Sequence, residues 1–158
     1  MIFRLCVGVL GSGTVSEPEH RPMPITVTRV PTLSVEDFVS ILHRSGLAER
    51  RPVDDAGRLA RMIEQADLIL VARDEETGTL VGVSRAITDF AYCCYLSELA
   101  VDPAYQGQGI GQRLIEATRE AAGPESMCLL VSAPAAKSFY QKIGMPQSDA
   151  AFMYPRQI

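Results

Sequence analysis

Apolar and polar residues alternate from 25 to 30 (ITVTRV), the pattern of a strand with one wet face, and Pro31 closes it. The period then changes. Val35, Phe38, Val39, Ile41 and Leu42 recur at helical spacing behind Ser34, a capping residue, with Glu36 and Asp37 in the dipole-favoured first turn. The spacing predicts a helix over 34–45, ended by Ser45-Gly46. A polar loop (47–52) follows. Asp54 is placed to cap a second helix over 55–65, with Leu59, Met62 and Ile63 inward and Arg58 and Arg61 on its solvated face. His43 reads as a surface or pocket-rim residue.

Residues 67–73 (DLILVAR) are a strand, 74–78 (DEETG) a hairpin turn and 79–88 the returning strand, in which Gly82 marks a bulge or a close approach. Asp89-Phe90 turns the chain again, into a strand over 91–101. The centre is therefore an antiparallel meander of about three strands. Leu114, Ile115 and Thr118 then define a helix that stops at Gly123-Pro124. The continuous apolar run 127–131 predicts a strand buried on both faces, and the crossover helix before it predicts parallel pairing with 91–101. A short helix over 134–143 and a final strand or hairpin over 145–154 complete the chain.

The first residues differ from the rest. Residues 2–10 read as a strand, 11–13 as a turn and 18–24 as a proline-rich linker, which divides the chain into an extension (1–23) and one domain (24–158). VGVLGSGTVS opens like a dinucleotide-binding loop. However, Ser16 stands where the third glycine belongs, and the Glu17 to Pro22 segment does not start a long helix. The apolar run before it is shorter than a secretory core of about 7–15 residues. No run reaches the roughly 18–20 apolar residues of a membrane span. His20 reads as a linker residue.

Composition narrows the partners. The chain has 158 residues, 47 % of them apolar, and fifteen basic against nineteen acidic side chains give a net charge of −4. That balance argues against nucleic acid as the main partner, because such binding neutralises phosphates with Lys and Arg; Arg50-Arg51 is the one adjacent basic pair. Cys6, Cys93, Cys94 and Cys128 have no metal-ligand spacing and read as small apolar residues of a reducing, cytoplasmic protein. Cys93 and Cys94 point to opposite faces of their strand.

The densest chemistry lies between strand 91–101 and the following helix. Asp102-Pro103 ends the strand, and Gln106-Gly107-Gln108-Gly109-Ile110-Gly111 puts three glycines into the turn that opens the helix. Bare backbone N–H groups and the positive helix end meet there, an anion site suited to phosphate or pyrophosphate.

ELAVDPAYQGQGIGQRLIEA (98–117) resembles the acyl-CoA-binding motif of the GNAT superfamily of N-acetyltransferases: a strand ending Leu99-Ala100-Val101, then the turn Gln106 to Gly111, then a helix. AAKSFYQKIGM (135–145) is similar to a second family segment through Ala136, Phe139, Tyr140, Lys142, Gly144 and Met145. The order of elements from about residue 25 onward also resembles that fold, a mixed, mostly antiparallel sheet flanked by helices. The resemblance implies acetyl-CoA as co-substrate, with no metal. Its pyrophosphate would lie on the amides of Gly107, Gln108, Gly109, Ile110 and Gly111, and its pantetheine along Leu99, Ala100 and Val101. It implies Tyr140 as the acid that protonates the leaving thiolate, where packing alone is the competing reading. Glu98 is the carboxylate in that strand and a candidate base. A water relay held by Ser97, or a structural Glu98, is the alternative. Two departures are Ala133, where the family often has Asn, and Met145, where it usually has an aromatic residue.

The implied activity is direct acetyl transfer from acetyl-CoA to a primary amine of a small molecule or peptide, with no nucleic-acid or membrane partner and with homodimerisation left open. The acceptor would lie between helices 34–45 and 55–65, the 89–94 turn and the C-terminal strands, with Phe90, Tyr92 and Phe152 as aromatic walls. Two rival expectations are a CoA-binding sensor without turnover and an interaction module built on the N-terminal strand.

Overall fold

A computed structural model describes residues 24–157. The strand, turn and linker expected over 2–24, with Cys6 and His20, lie outside the described residues apart from Pro24. Five strands and four helices follow in the order β1 (Ile25–Val30), α1 (Val35–Arg44), α2 (Ala56–Glu64), β2 (Leu68–Asp74), β3 (Leu80–Thr88), β4 (Cys93–Val101), α3 (Ile110–Ala122), β5 (Met127–Leu129) and α4 (Lys137–Lys142). They build one sheet in sequence order. β1 to β4 are antiparallel, and β5 joins β4 in parallel after the α3 crossover. The meander thus holds four strands, because β1 pairs with β2.

Strand alternation divides the apolar residues between two layers. Leu68, Leu70 and Ala72 of β2 face α3 and meet Ile110, Leu114 and Ile115, while Ile69 and Val71 face Phe38, Ile41 and Leu42 of α1 and Leu59 and Ile63 of α2. Each fully buried aliphatic side chain contributes about 1.5–3 kcal/mol, so the two layers clamp the sheet from both sides. Between β3 and α3 the hydroxyls of Ser84 and Thr118 hydrogen-bond at 2.5 Å, and Thr118 Oγ1 also donates to the carbonyl of Leu114. Gly82 is a close approach: a Cβ there would lie 3.1 Å from Leu114 Cδ1 and 3.2 Å from the carbonyl oxygen of Ala100. A bulge at Val81, opposite the Ala72/Arg73 step of β2, adjoins it.

Four expectations are corrected. Asp55, not Asp54, caps α2, accepting from the N–H of Arg58 at 2.8 Å. Turn bonds from Val53 N–H to Arg51 and from Asp55 N–H to Pro52 hold Asp54 outside the helix. The loop before it carries a 3-10 turn, Leu47–Arg50. The apolar run at 127–131 gives only the three-residue β5, an edge strand with Met127, Leu129 and Val131 exposed. Among the described residues nothing covers its outer side, and Cys128 and Leu130 pack inward. Residues 145–157 form no strand, and Phe152 and Tyr154 are fully exposed.

Candidate active site

The end of β4 is pinned before the chain enters the glycine turn. Asp102 donates its N–H to the carbonyl of Val81, accepts the N–H of Ala104 at Oδ1, and accepts Arg44 Nη1 at Oδ2 (2.6 Å). Arg44 also donates to the carbonyl of Leu80. The Tyr105 hydroxyl donates to Asp74 at 2.9 Å, and Gln106 Nε2 folds back onto the carbonyl of Val101. Gly107 (φ +79°) and Gly109 (φ +75°) then take left-handed conformations that an L-residue with a Cβ rarely adopts. Gly109 is the N-cap of α3. No side chain caps this helix and no acidic residue lies in its first turn. Among the described residues no carboxylate competes for its leading amides, a fit to a pyrophosphate. The site is made of backbone: Ile110 and Ala100 are buried in the two cores, and Leu99 and Val101 pack half-buried on the α3 side.

β4 and β5 pair only through residues 93–95 and 127–129 and then part. Two residues beyond the last pair, β4 carries a bulge. Arg85 of β3 opposes Glu98 and Ala86 opposes Leu96, which leaves Ser97 as the extra residue. The bulge exchanges the faces of the strand. Cys94 and Leu96 point toward α3, but beyond Ser97 it is Leu99 and Val101 that do so, while Ala100 joins the α1–α2 layer. Glu98 is thereby turned toward α2.

Tyr140 lies half-buried on α4 and packs against the α3-side core. Its ring meets that of Phe139 edge-on at 5.1 Å between centroids. Phe139 in turn rests on Gly111, which joins the second segment to the glycine turn. Burial pushes the Tyr140 hydroxyl above its ordinary pKa of 10.

Glu98 has a different setting. It is 1 % exposed, with Oε1 accepting from Arg51 Nε at 2.7 Å and Oε2 from Arg85 Nε at 2.5 Å. Ser97 Oγ donates to Oε1, and Arg85 Nη2 donates to Ser97 Oγ. Arg85 Nη1 reaches the carbonyl of Met62 on α2, and Arg51 Nη2 that of Ser97. These groups form the floor of a cavity of about 340 Å³ that Arg50, Arg58 and Arg156 also line. The arginines escaped the sequence reading, which left Arg58 on a solvated face. A signal existed at Arg85: a cation in an otherwise apolar strand (TLVGVSRAIT) demands a buried acid across the hairpin.

The 89–94 turn and the expected aromatic walls do not line this cavity. The start of that turn is held by Asp89, whose Oδ1 accepts the N–H groups of Ala91, Tyr92 and Cys93. Asp89, Cys93 and Cys94 edge a separate, shallow apolar depression over Ile87, Tyr95, Met127 and Leu129. Phe90, Tyr92 and Phe152 are exposed, and Arg29 stacks over Phe90 at 5.6 Å. Burial first, then Cys128 and Cys93 beside it, push the Cys94 thiol up to about 11. It stays protonated at neutral pH and is a poor nucleophile. Among the described residues no cluster of His, Cys, Asp and Glu is arranged to hold a metal ion, and no helix is long and apolar enough to cross a membrane.

At this site a parallel strand pair opens beside a glycine turn and a helix start. The family model described as "Acetyltransferase (GNAT) domain" matches residues 65–144, and the chain belongs to that family. Mycothiol acetyltransferase from Frankia alni is 29 % identical over 89 % of this chain and 47 % of its own length. A GNAT-family acetyltransferase from Streptococcus pneumoniae superimposes with a TM-score of 0.67 at 20 % identity, over 85 % of this chain and all of that one. An aminoglycoside N-acetyltransferase in complex with CoA gives 0.64 at 17 % identity, over 88 % of this chain and 99 % of that one. At these identities the solved structures show the fold alone. The chain spans about half or less of the length of the curated relatives it matches.

Proposed function

We propose that this domain moves an acetyl group from acetyl-CoA directly to a primary amine of a small molecule or peptide. The observation that carries the reading is the turn at Gly107 and Gly109, whose left-handed glycines present the uncapped start of α3 beside the parted strands β4 and β5. The amides there bind the pyrophosphate, and the free edge of β4 beyond Tyr95 pairs with the amides of the pantetheine arm. This holds the thioester at a fixed place, which lowers the entropic barrier to attack.

In the reaction the neutral amine nitrogen attacks the thioester carbonyl, the C–N bond forms, the C–S bond breaks, and the thiolate takes a proton. The Tyr140 phenol supplies that proton; its raised pKa keeps it in the acid form. Both oxygens of Glu98 already accept from guanidinium groups, so accepting the ammonium proton there would give up an ion pair. We therefore assign that proton to water at the Ser97 bulge, and assign Glu98 the task of positioning Arg51 and Arg85.

Thiol release from acetyl-CoA, followed with a panel of amines and peptides, tests the reading. Release that depends on an amine supports it. Binding of CoA with no amine-dependent release would instead favour a sensor, and absence of any CoA binding would remove the donor site itself.

A further inference from the structure

The cavity over Ser97 and Glu98 is charged with one sign. Five arginines line it (Arg50, Arg51, Arg58, Arg85 and Arg156) with a single carboxylate, Glu98, in a chain whose net charge is −4. Glu98 is shared between the two innermost guanidiniums, Arg51 and Arg85, whose side chains are 14 % and 6 % exposed. One carboxylate balances one of them. Their other contacts are to neutral groups: Arg85 to the Met62 carbonyl and the Ser97 hydroxyl, Arg51 to the carbonyls of Ser97 and Arg50. Two guanidiniums drawn out of water around one shared carboxylate keep a net positive charge, which a second anion would complete. Ser97, two residues beyond the last β4–β5 pair, lines the cavity, and on the acetyl-transfer reading this brings whatever fills it to the thioester.

We infer that the acceptor carries an anionic group, carboxylate or phosphate, which docks among these arginines while its primary amine reaches the acetyl group. This inference rests on the acetyl-transfer reading and narrows its substrate class. A guanidinium fork donates side by side to the two oxygens of such a group, and Arg50 at the rim draws it in by long-range attraction. The same charge turns away diamines, polyamines and other polycationic acceptors, whose second ammonium would meet guanidinium groups.

The test uses primary amines of one chain length ending in methyl, carboxylate, phosphate or a second ammonium. With acetyl-CoA fixed, kcat/KM for an anion-tailed amine should exceed that for the methyl-tailed one by about tenfold or more, the size of one charge-assisted hydrogen bond. The diamine should be the poorest. The carboxylate and phosphate arms show which anion is preferred. Arg50→Gln and Arg58→Gln should each lower the ratio of anion-tailed to methyl-tailed kcat/KM, and Arg58→Lys should restore part of it; added salt should compress the ratio. Equal rates for methyl and anionic tails, or a preference for the diamine, would overturn the inference while leaving acetyl transfer standing. If no amine is acetylated, the transfer reading fails separately, and binding still decides this one. NMR titration of the CoA-loaded protein with the carboxylate-tailed amine should then move Ser97 and Arg85 signals at lower concentration than the methyl-tailed amine, an order that Arg58→Gln weakens. No difference between the two titrations would overturn it.

Discussion

The ring of Phe139 occupies the space that a side chain at Gly111 would need. A Cβ on Gly111 would lie 2.9 Å from Cζ of that ring and 3.3 Å from Cε2. Gly111 has ordinary helical geometry, so its requirement is for room; Gly107 and Gly109 have open space and need their positive φ instead. The glycines of one turn thus do two jobs, and the second joins α3 to the helix that bears Tyr140. Gly111→Ala should destabilise the fold by about 1–3 kcal/mol, as overpacking does. It should also displace Tyr140 and lower kcat. Phe139→Leu in the same chain should recover part of both losses. Denaturant midpoints and turnover of the single and double variants check this, and additive losses would mean that the two residues are not coupled.

Helix periods, the hairpin at 74–78 and the glycine turn were legible in the sequence because each is set by residues near one another in the chain. What was not legible depends on distant partners. The apolar run 127–131 has the composition of a buried strand, yet its burial depends on whether anything lies beyond it in the sheet, and Met127 is 61 % exposed. Asp54 and Asp55 are equally good caps by type, and the turn bonds of Val53 and Asp55 decide between them. In the polarity of β4 the Ser97 bulge leaves only the adjacent polar pair Ser97-Glu98, which allows a bulge without fixing it. It follows from the register that brings Arg85 opposite Glu98, a pairing across two strands. The glycine turn at the start of α3 could therefore be read ahead, and the arginine pocket could not.

Tyr140→Phe separates the acid role from packing, since the ring and its contact with Phe139 remain. If the phenol protonates the leaving thiolate, kcat should fall by about 100-fold or more, with the KM for acetyl-CoA little changed. Burial raises the pKa of this group, so the acid form persists through pH 10, and the alkaline fall in rate that it causes should come above that value. The variant should lack that fall. Equal kcat for both proteins from pH 7 to 10 would leave Tyr140 as a packing residue.

The Asp89 turn sets the acid response of the region between β3 and β4. Hydrogen bonds from the backbone N–H groups of Cys93, Tyr92 and Ala91 hold its carboxyl down to about 2 from an ordinary 3.8. A lowered folded-state pKa means that its contribution to stability is present in full above the unfolded value and is lost as pH falls through the folded one. The turn should therefore loosen between about pH 4 and pH 2. Amide exchange at residues 91–93 should rise across that window, and Asp89→Asn should flatten the rise because an amide does not titrate there. An unchanged exchange profile in the variant would show that another carboxylate governs it.

Glu98 tests whether a carboxylate at the bulge is structural or a base. Removing its charge leaves Arg51 and Arg85 facing one another without their shared partner. Glu98→Gln should then cost about 3–5 kcal/mol, as expected when one member of a buried ion pair is lost. Adding Arg85→Met removes the second cation and should return much of that stability, a coupling that appears only if the two charges act together. Activity distinguishes the roles further. A base would give Glu98→Gln a rate that recovers with rising pH, as more of the amine is neutral without help. A positioning residue would instead give a loss that pH does not restore and that the Arg85→Met background reduces in step with stability. The double-variant cycle, measured by urea unfolding and by thiol release from pH 6 to 9, decides between them, and the two ion pairs at 2.7 and 2.5 Å favour the second outcome.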